Sequence, residues 1–207
     1  MSEPVSRAEQ KERTRRAILD AALGLSAETG LAALSLRQVA KEVGIVPTAF
    51  YRHFDSIDAL GLALVEESFA SLREVLRDVR RGRPAPREII RTSVDALAEH
   101  AEEKRGHFGF IARERAAGPP VVREAVRRQL ELFEHELATD LARLSGPTWS
   151  SEDLQVVSQL IVTAMVATVE DLLAADTRGR AEVRERAEKQ LRMLVVGALH
   201  WRSDYEH

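Results

Sequence analysis

The sequence predicts an all-α fold: a head of three short helices at residues 1–55, holding a helix-turn-helix, and a body of six mostly longer helices at 56–207. Three observations carry this. Apolar residues recur at spacings of three and four along the chain, and no alternating pattern runs beyond a few residues. Breakers such as Gly82, Pro84 and Pro86, Gly118-Pro119-Pro120 and Ser145-Gly146-Pro147 cut the chain into helix-sized pieces. Ser35 followed three residues later by Gln38 is a capping box just ahead of an apolar stripe.

Each element follows in order. The first helix buries Ile18, Ala21, Ala22 and Leu25, which fall on one face, and Gly30 ends it. Leu36, Val39, Ala40 and Val43 repeat that stripe in a second helix over about Leu36–Val43, stopped by Gly44. Pro47 opens the third at its first position, where the missing N–H costs nothing, and this helix is expected to reach Phe54. Ser56 caps a long fourth helix over about Ile57–Arg81. Further helices are expected near Arg87–Arg105, His107–Ala117, Val121–Leu144, Glu152–Ala175 and Ala181–Arg202. The eighth is apolar on nearly all sides, so it is expected to be internal or to face another subunit as well.

Composition narrows the function classes. The 207 residues include no Cys, which excludes disulfides, thiolate nucleophiles and Cys-held metal clusters. No apolar run reaches the roughly 18–20 residues of a bilayer crossing, and the N-terminus lacks a signal-peptide apolar core, so a cytoplasmic protein with no membrane partner is expected. Neither a phosphate-binding glycine loop nor a nucleophile elbow occurs, and the six His form no ligand-spaced pair; no catalytic residue and no metal site is expected. The net charge of -3 conceals an asymmetry, +2 over residues 1–54 and -5 over the remainder. Five basic residues cluster between Arg7 and Arg16, where local charge suits phosphate contacts.

Two short helices joined by Gly44-Ile45-Val46 have the outline of a helix-turn-helix. At 100° per residue, Phe50 and Phe54 share a face and must point at the core, leaving Thr48, Ala49 and Arg52 opposite and Tyr51 and His53 on the flanks. Such a helix suits a DNA major groove. Arg52 is placed for guanine O6 and N7, the Thr48 and Ala49 methyls for thymine methyls, and Tyr51 and His53 for phosphates. Arg37 and the arm residues Arg13, Thr14 and Arg15 extend the phosphate contacts, with Val46 and Pro47 at the entry to the helix. An αα-hairpin with glycine in its turn is also common in helical proteins generally, so geometry alone leaves DNA binding open.

The stretch Ala17-Ile18-Leu19-Asp20-Ala21-Ala22, Gly30, Leu36 to Ile45, and Phe50-Tyr51-Arg52-His53-Phe54 with Leu60 resembles the DNA-binding head of the TetR repressor family. Two positions depart from its usual pattern: Val46 stands where many members cap the third helix with Ser or Thr, and Asp55 where many carry Lys. In the body, Ile90 to Val94, Phe108-Gly109-Phe110-Ile111 with Arg113-Glu114-Arg115, and Gln190 to Met193 with Gly197-Ala198 resemble the FabR/DesT fatty-acid-responsive branch.

The resemblance implies a homodimeric repressor that binds double-stranded palindromic operator DNA, is not an enzyme and uses no cofactor. Its last two helices would pair across the dimer, through Leu160, Val162, Met165 and Val166 of the eighth and Leu191, Leu194 and Ala198 of the ninth. The effector would be a long-chain acyl-CoA or related acyl thioester; the alternative is another hydrophobic small molecule controlling an efflux or catabolic operon. Phe108, Phe110 and Ile111 are candidates to line its pocket. So are Leu132, Phe133 and Leu137, and Met165 and Val169, although each also serves as plain core.

Overall fold

A computed structural model describes residues 6–81, 88–145 and 149–201, all in helices and short connections with no strand among them. The expected breaks at Gly82 to Pro86 and at Gly146-Pro147 lie outside the described residues. The helices are α1 (Arg7–Thr29), α2 (Leu36–Val43), α3 (Pro47–Phe50), α4 (Ile57–Arg81), α5 (Ile89–Glu103), α6 (Arg105–Ala117), α7 (Pro120–Ser145), α8 (Ser151–Ala174) and α9 (Gly179–His200). The chain divides into two compact units.

The first unit takes the chain up to Ala70 together with Gly106–Val126. Ser6 caps α1 by accepting from the Glu9 N–H at 3.2 Å, while Glu9 accepts from the Ser6 N–H at 2.8 Å. Gly30 ends α1 at φ 77°, a conformation that disfavours a side chain, and a 3-10 turn at Leu31–Ala33 leads towards α2. The capping box at Ser35 and Gln38 forms as its spacing predicts, with the Ser35 N–H donating to Gln38 at 2.8 Å. Gly44 closes α2 in the left-handed conformation, at φ 74° and ψ 30°. Ile18, Ala22, Val39 and Phe50 are fully buried and Ala40 nearly so, while Ala21, Leu25, Leu36 and Val43 of the stripes read from the sequence are half-buried.

One element of this unit differs from expectation. The third helix is α-helical only over Pro47–Phe50, and Tyr51 to His53 continue as a tighter turn. The Arg52 N–H bonds back to the Ala49 carbonyl at 3.2 Å and the His53 N–H to Phe50 at 2.8 Å, both three residues back. The Val46 cap position makes no side-chain bond, and the Phe54 N–H returns to the Phe50 carbonyl at 3.2 Å, four residues back, closing the segment.

The second unit takes Ser71–Arg105 and Arg127–His207. Within it α8 packs along α9 and α5. Val94 of α5 meets Ala187 and Leu191 of α9, with Met165 and Ile161 of α8 against them. A neighbouring cluster joins Ala98, Leu172 and Val183. Ser150 caps α8 by accepting from the Asp153 N–H at 3.0 Å, and the Trp201 indole donates to Asp153 at 3.0 Å, tying the end of α9 to the start of α8.

Here two expectations are corrected. Helix α8 is long and apolar enough to cross a membrane by length and composition, contrary to the reading that no stretch qualifies. Nor is it internal within one chain: Val156 and Leu160 stand in solvent, as do Met193, Val196 and Leu199 of α9. Part of its apolar surface is thus uncovered in the single chain, while Val169 and Leu172 on the same helix are buried.

Candidate nucleic-acid interface

Phe50 is fully buried and Phe54 nearly so, with ring centroids 6.0 Å apart. They anchor the recognition segment to the head and fix which of its side chains face outwards. Val46 (63% exposed), Pro47, Thr48, Tyr51 (54% exposed) and Arg52 project into solvent, while Ala49 is half-buried. Tyr51 meets Phe50 edge to face, with centroids 6.3 Å apart, so its ring is braced while its hydroxyl end stays wet. Arg37 on α2 is exposed. A short, braced segment with a guanidinium, a hydroxyl and small methyl groups outermost fits a groove whose base edges offer both hydrogen bonds and thymine methyls.

The arm divides into two faces. Arg15 turns inward: its guanidinium lies over the Phe54 ring at 4.4 Å and donates to the His53 carbonyl at 3.4 Å. That engagement differs from the free phosphate contact expected of it. Thr14 donates to the Gln10 carbonyl at 3.0 Å, within its own helix. Arg13 lines a shallow polar groove with Glu9, Glu12, Arg16 and Asp20, and Arg16 pairs with Glu67 of α4.

His53 sits beneath this surface rather than on it. It is half-buried, and its Nδ1 is enclosed without a hydrogen-bond partner. Burial pushes its pKa below the ordinary histidine value, and the cations Lys11, Arg15 and Arg52 push it further, against a weaker pull from Glu12. The ring is therefore neutral at neutral pH. Lys11 was counted in the basic arm but not singled out; it lies four residues before Arg15, one helical turn away, and this spacing is the signal that marks it as facing His53.

The other sequence-derived site residues differ in burial within each unit. Phe108 and Phe110 of α6 are buried in the first unit, with Ile111 half-buried. In the second unit Phe133 and Val169 are buried, Leu137 and Met165 half-buried, and Leu132 exposed. None of the eight lines the groove on α1 or a second groove of about 230 Å³ bounded by Glu102, Thr177, Arg180 and Arg184. Of the seven dimer candidates, Leu191 and Ala198 are buried within the chain, Val162, Met165, Val166 and Leu194 are half-buried, and Leu160 is open.

A two-helix motif set on a third helix, with its exposed face made of groove-compatible side chains, defines a helix-turn-helix DNA-binding regulator. The profile described as bacterial regulatory proteins, tetR family, matches residues 18–64. That described as tetracyclin repressor-like, C-terminal domain, matches 86–197, more than half of the chain. The chain belongs to the TetR family of transcriptional regulators. Solved structures share the fold at low identity. The fatty acid degradation regulator FadR from Bacillus halodurans matches with a TM-score of 0.70 at 14% identity, covering 89% of this chain and 95% of that one. FadR from Bacillus subtilis in complex with stearoyl-CoA gives 0.69 at 16%, covering 88% and 98%. The SmeT–triclosan complex gives 0.68 at 18%, covering 94% and 98%.

Proposed function

We propose that this regulator is a homodimeric repressor that reads a palindromic operator and is released or recruited by a long-chain acyl-CoA or related acyl thioester, so controlling fatty-acid genes. The observation that carries the DNA-reading part is the outward set Thr48, Tyr51 and Arg52 on a segment keeled by Phe50 and Phe54. Base contacts fall to Arg52, Thr48 and Ala49, and phosphate contacts to Tyr51, Arg37 and Lys11. The uncovered apolar face of α8 and α9 supports pairing of two chains, since two half-sites about one turn apart require a two-fold axis. Support for the effector class comes from the fatty-acid regulators that share the fold, one of them holding stearoyl-CoA.

A second reading has its own observation. Triclosan occupies one structure of equal similarity, and another is described as a multidrug binding protein, which favours a hydrophobic drug-like effector instead. The test is a gel shift on a duplex that the protein selects from a random pool, titrated with oleoyl-CoA, palmitoyl-CoA and triclosan. A change in affinity with either acyl-CoA but not triclosan supports the fatty-acid role. A response to triclosan alone sinks it.

A further inference from the structure

Glu114 of α6 is only 1% exposed. Its Oε1 accepts from the backbone N–H of Leu31 at 2.9 Å, 83 residues away in sequence. That N–H needs a partner, because Leu31 opens the 3-10 turn between α1 and α2 and the glycine before it offers no side-chain cap. The site is shaped to admit the carboxylate. A Cβ on Gly118 would collide with Glu114 Oε2 and with the Glu114 backbone.

Leu31 itself has no freedom. It is fully buried and fills the space beside Gly61 of α4, where an added Cβ would collide with its Cδ2 and with Val122. Only residues 32–34 separate it from Ser35, the cap of α2, and Leu34 is buried. A displacement of Leu31 therefore moves the start of α2, and through Gly44 the α3 segment that carries Arg52. The other end of α6 is held as well. His107 Nδ1 lies 2.9 Å from Ser68 Oγ, and its Nε2 lies 3.8 Å from the Glu67 carboxylate that also pairs with Arg16 of α1.

We propose that Glu114 is a positioning residue for DNA reading, its carboxylate setting the placement of α2 and α3 by holding the Leu31 amide. This rests on the DNA-reading role of the head, and one set of measurements separates the two. Glu114→Met keeps the side-chain length but removes the oxygen, whereas Glu114→Gln keeps an oxygen able to accept the same bond and removes the charge. Amide hydrogen exchange at Leu31 and Val39 is measured with affinity for a duplex the wild-type protein selects from a random pool. In Glu114→Met, Leu31 exchange should accelerate about tenfold or more and DNA affinity should fall about tenfold, with Val39 protection retained. Glu114→Gln should restore both. Unchanged Leu31 exchange or unchanged affinity in Glu114→Met overturns the proposal. So does Glu114→Gln losing both, which decides the matter alone if the Met variant fails to fold. Failure of the wild-type protein to select any duplex sinks the DNA reading itself.

Discussion

The guanidinium of Arg15 lies 4.4 Å from the centre of the Phe54 ring and also donates to the His53 carbonyl at 3.4 Å. One side chain of α1 thus clamps the end of the recognition segment, where the α-helical frame has already given way to a tighter turn. Partly shielded cation–π contacts contribute about 0.5–2 kcal/mol. Arg15→Ala should lower the melting temperature and weaken DNA binding together, and Arg15→Lys should restore only part of either, lacking the planar stack. A melting temperature equal to that of the wild type would place Arg15 at the phosphates instead.

Arg52 predicts the opposite pairing of effects. It is exposed and supports no packing, so Arg52→Ala should leave thermal stability within about 0.5 kcal/mol. Binding to the selected duplex should weaken by about 1–3 kcal/mol, with relaxed preference at one base pair. Arg37→Ala should weaken all sequences alike and lower the salt slope by about 1. Repeating the selection with each variant checks both, and an unaltered preference in Arg52→Ala refutes base reading by that residue.

His53 should make the stability of the head depend on pH. Its pKa in the folded chain lies below the ordinary value of 6.5, so the unfolded chain binds the proton more readily. The associated stability is present above about pH 6.5 and is lost as the pH falls through the folded-state value. Melting temperatures of the wild type and His53→Gln should therefore converge or cross on acidification from pH 8 to 5. Parallel curves over that range would show that His53 titrates alike in both states.

The head was more legible than the body, for physical reasons visible in particular residues. Ser35, Gln38, Gly44 and Pro47 act on backbone groups within four residues, so the sequence positions alone specify the α2–α3 hairpin. The keel of Phe50 and Phe54 followed from helical spacing for the same reason. What sequence spacing could not supply were bonds across long separations: Arg15 turned inward to His53, and Glu114 bound to Leu31. The shortening of α3 was also hidden, since the tightening after Phe50 depends on what holds Tyr51 and His53 rather than on their helix propensity. In α8 the composition was read correctly as apolar all round, but a single chain leaves much of that surface open. Which residues face outward depends on how α5 and α9 pack against it, and that is a tertiary fact.

The same distinction decides how pairing of two chains should be tested. Met165 is half-buried against Val94, Ala187 and Leu191, so Met165→Arg would damage the chain's own core and give an ambiguous loss of dimer. Leu160 (48% exposed) and Met193 (67% exposed) lie on the open face and belong to neither the cluster around Val94 nor that around Ala98. Leu160→Arg and Met193→Arg should yield monomers by light scattering while the helical circular dichroism stays at the wild-type level. Leu191→Ala should do the reverse, costing about 2–5 kcal/mol of stability through the cavity it leaves. On the proposed reading of two half-sites by two heads, the two Arg variants should also lose affinity for a palindromic duplex far more than for a single half-site. A dimer that persists in both would move the pairing surface off α8 and α9.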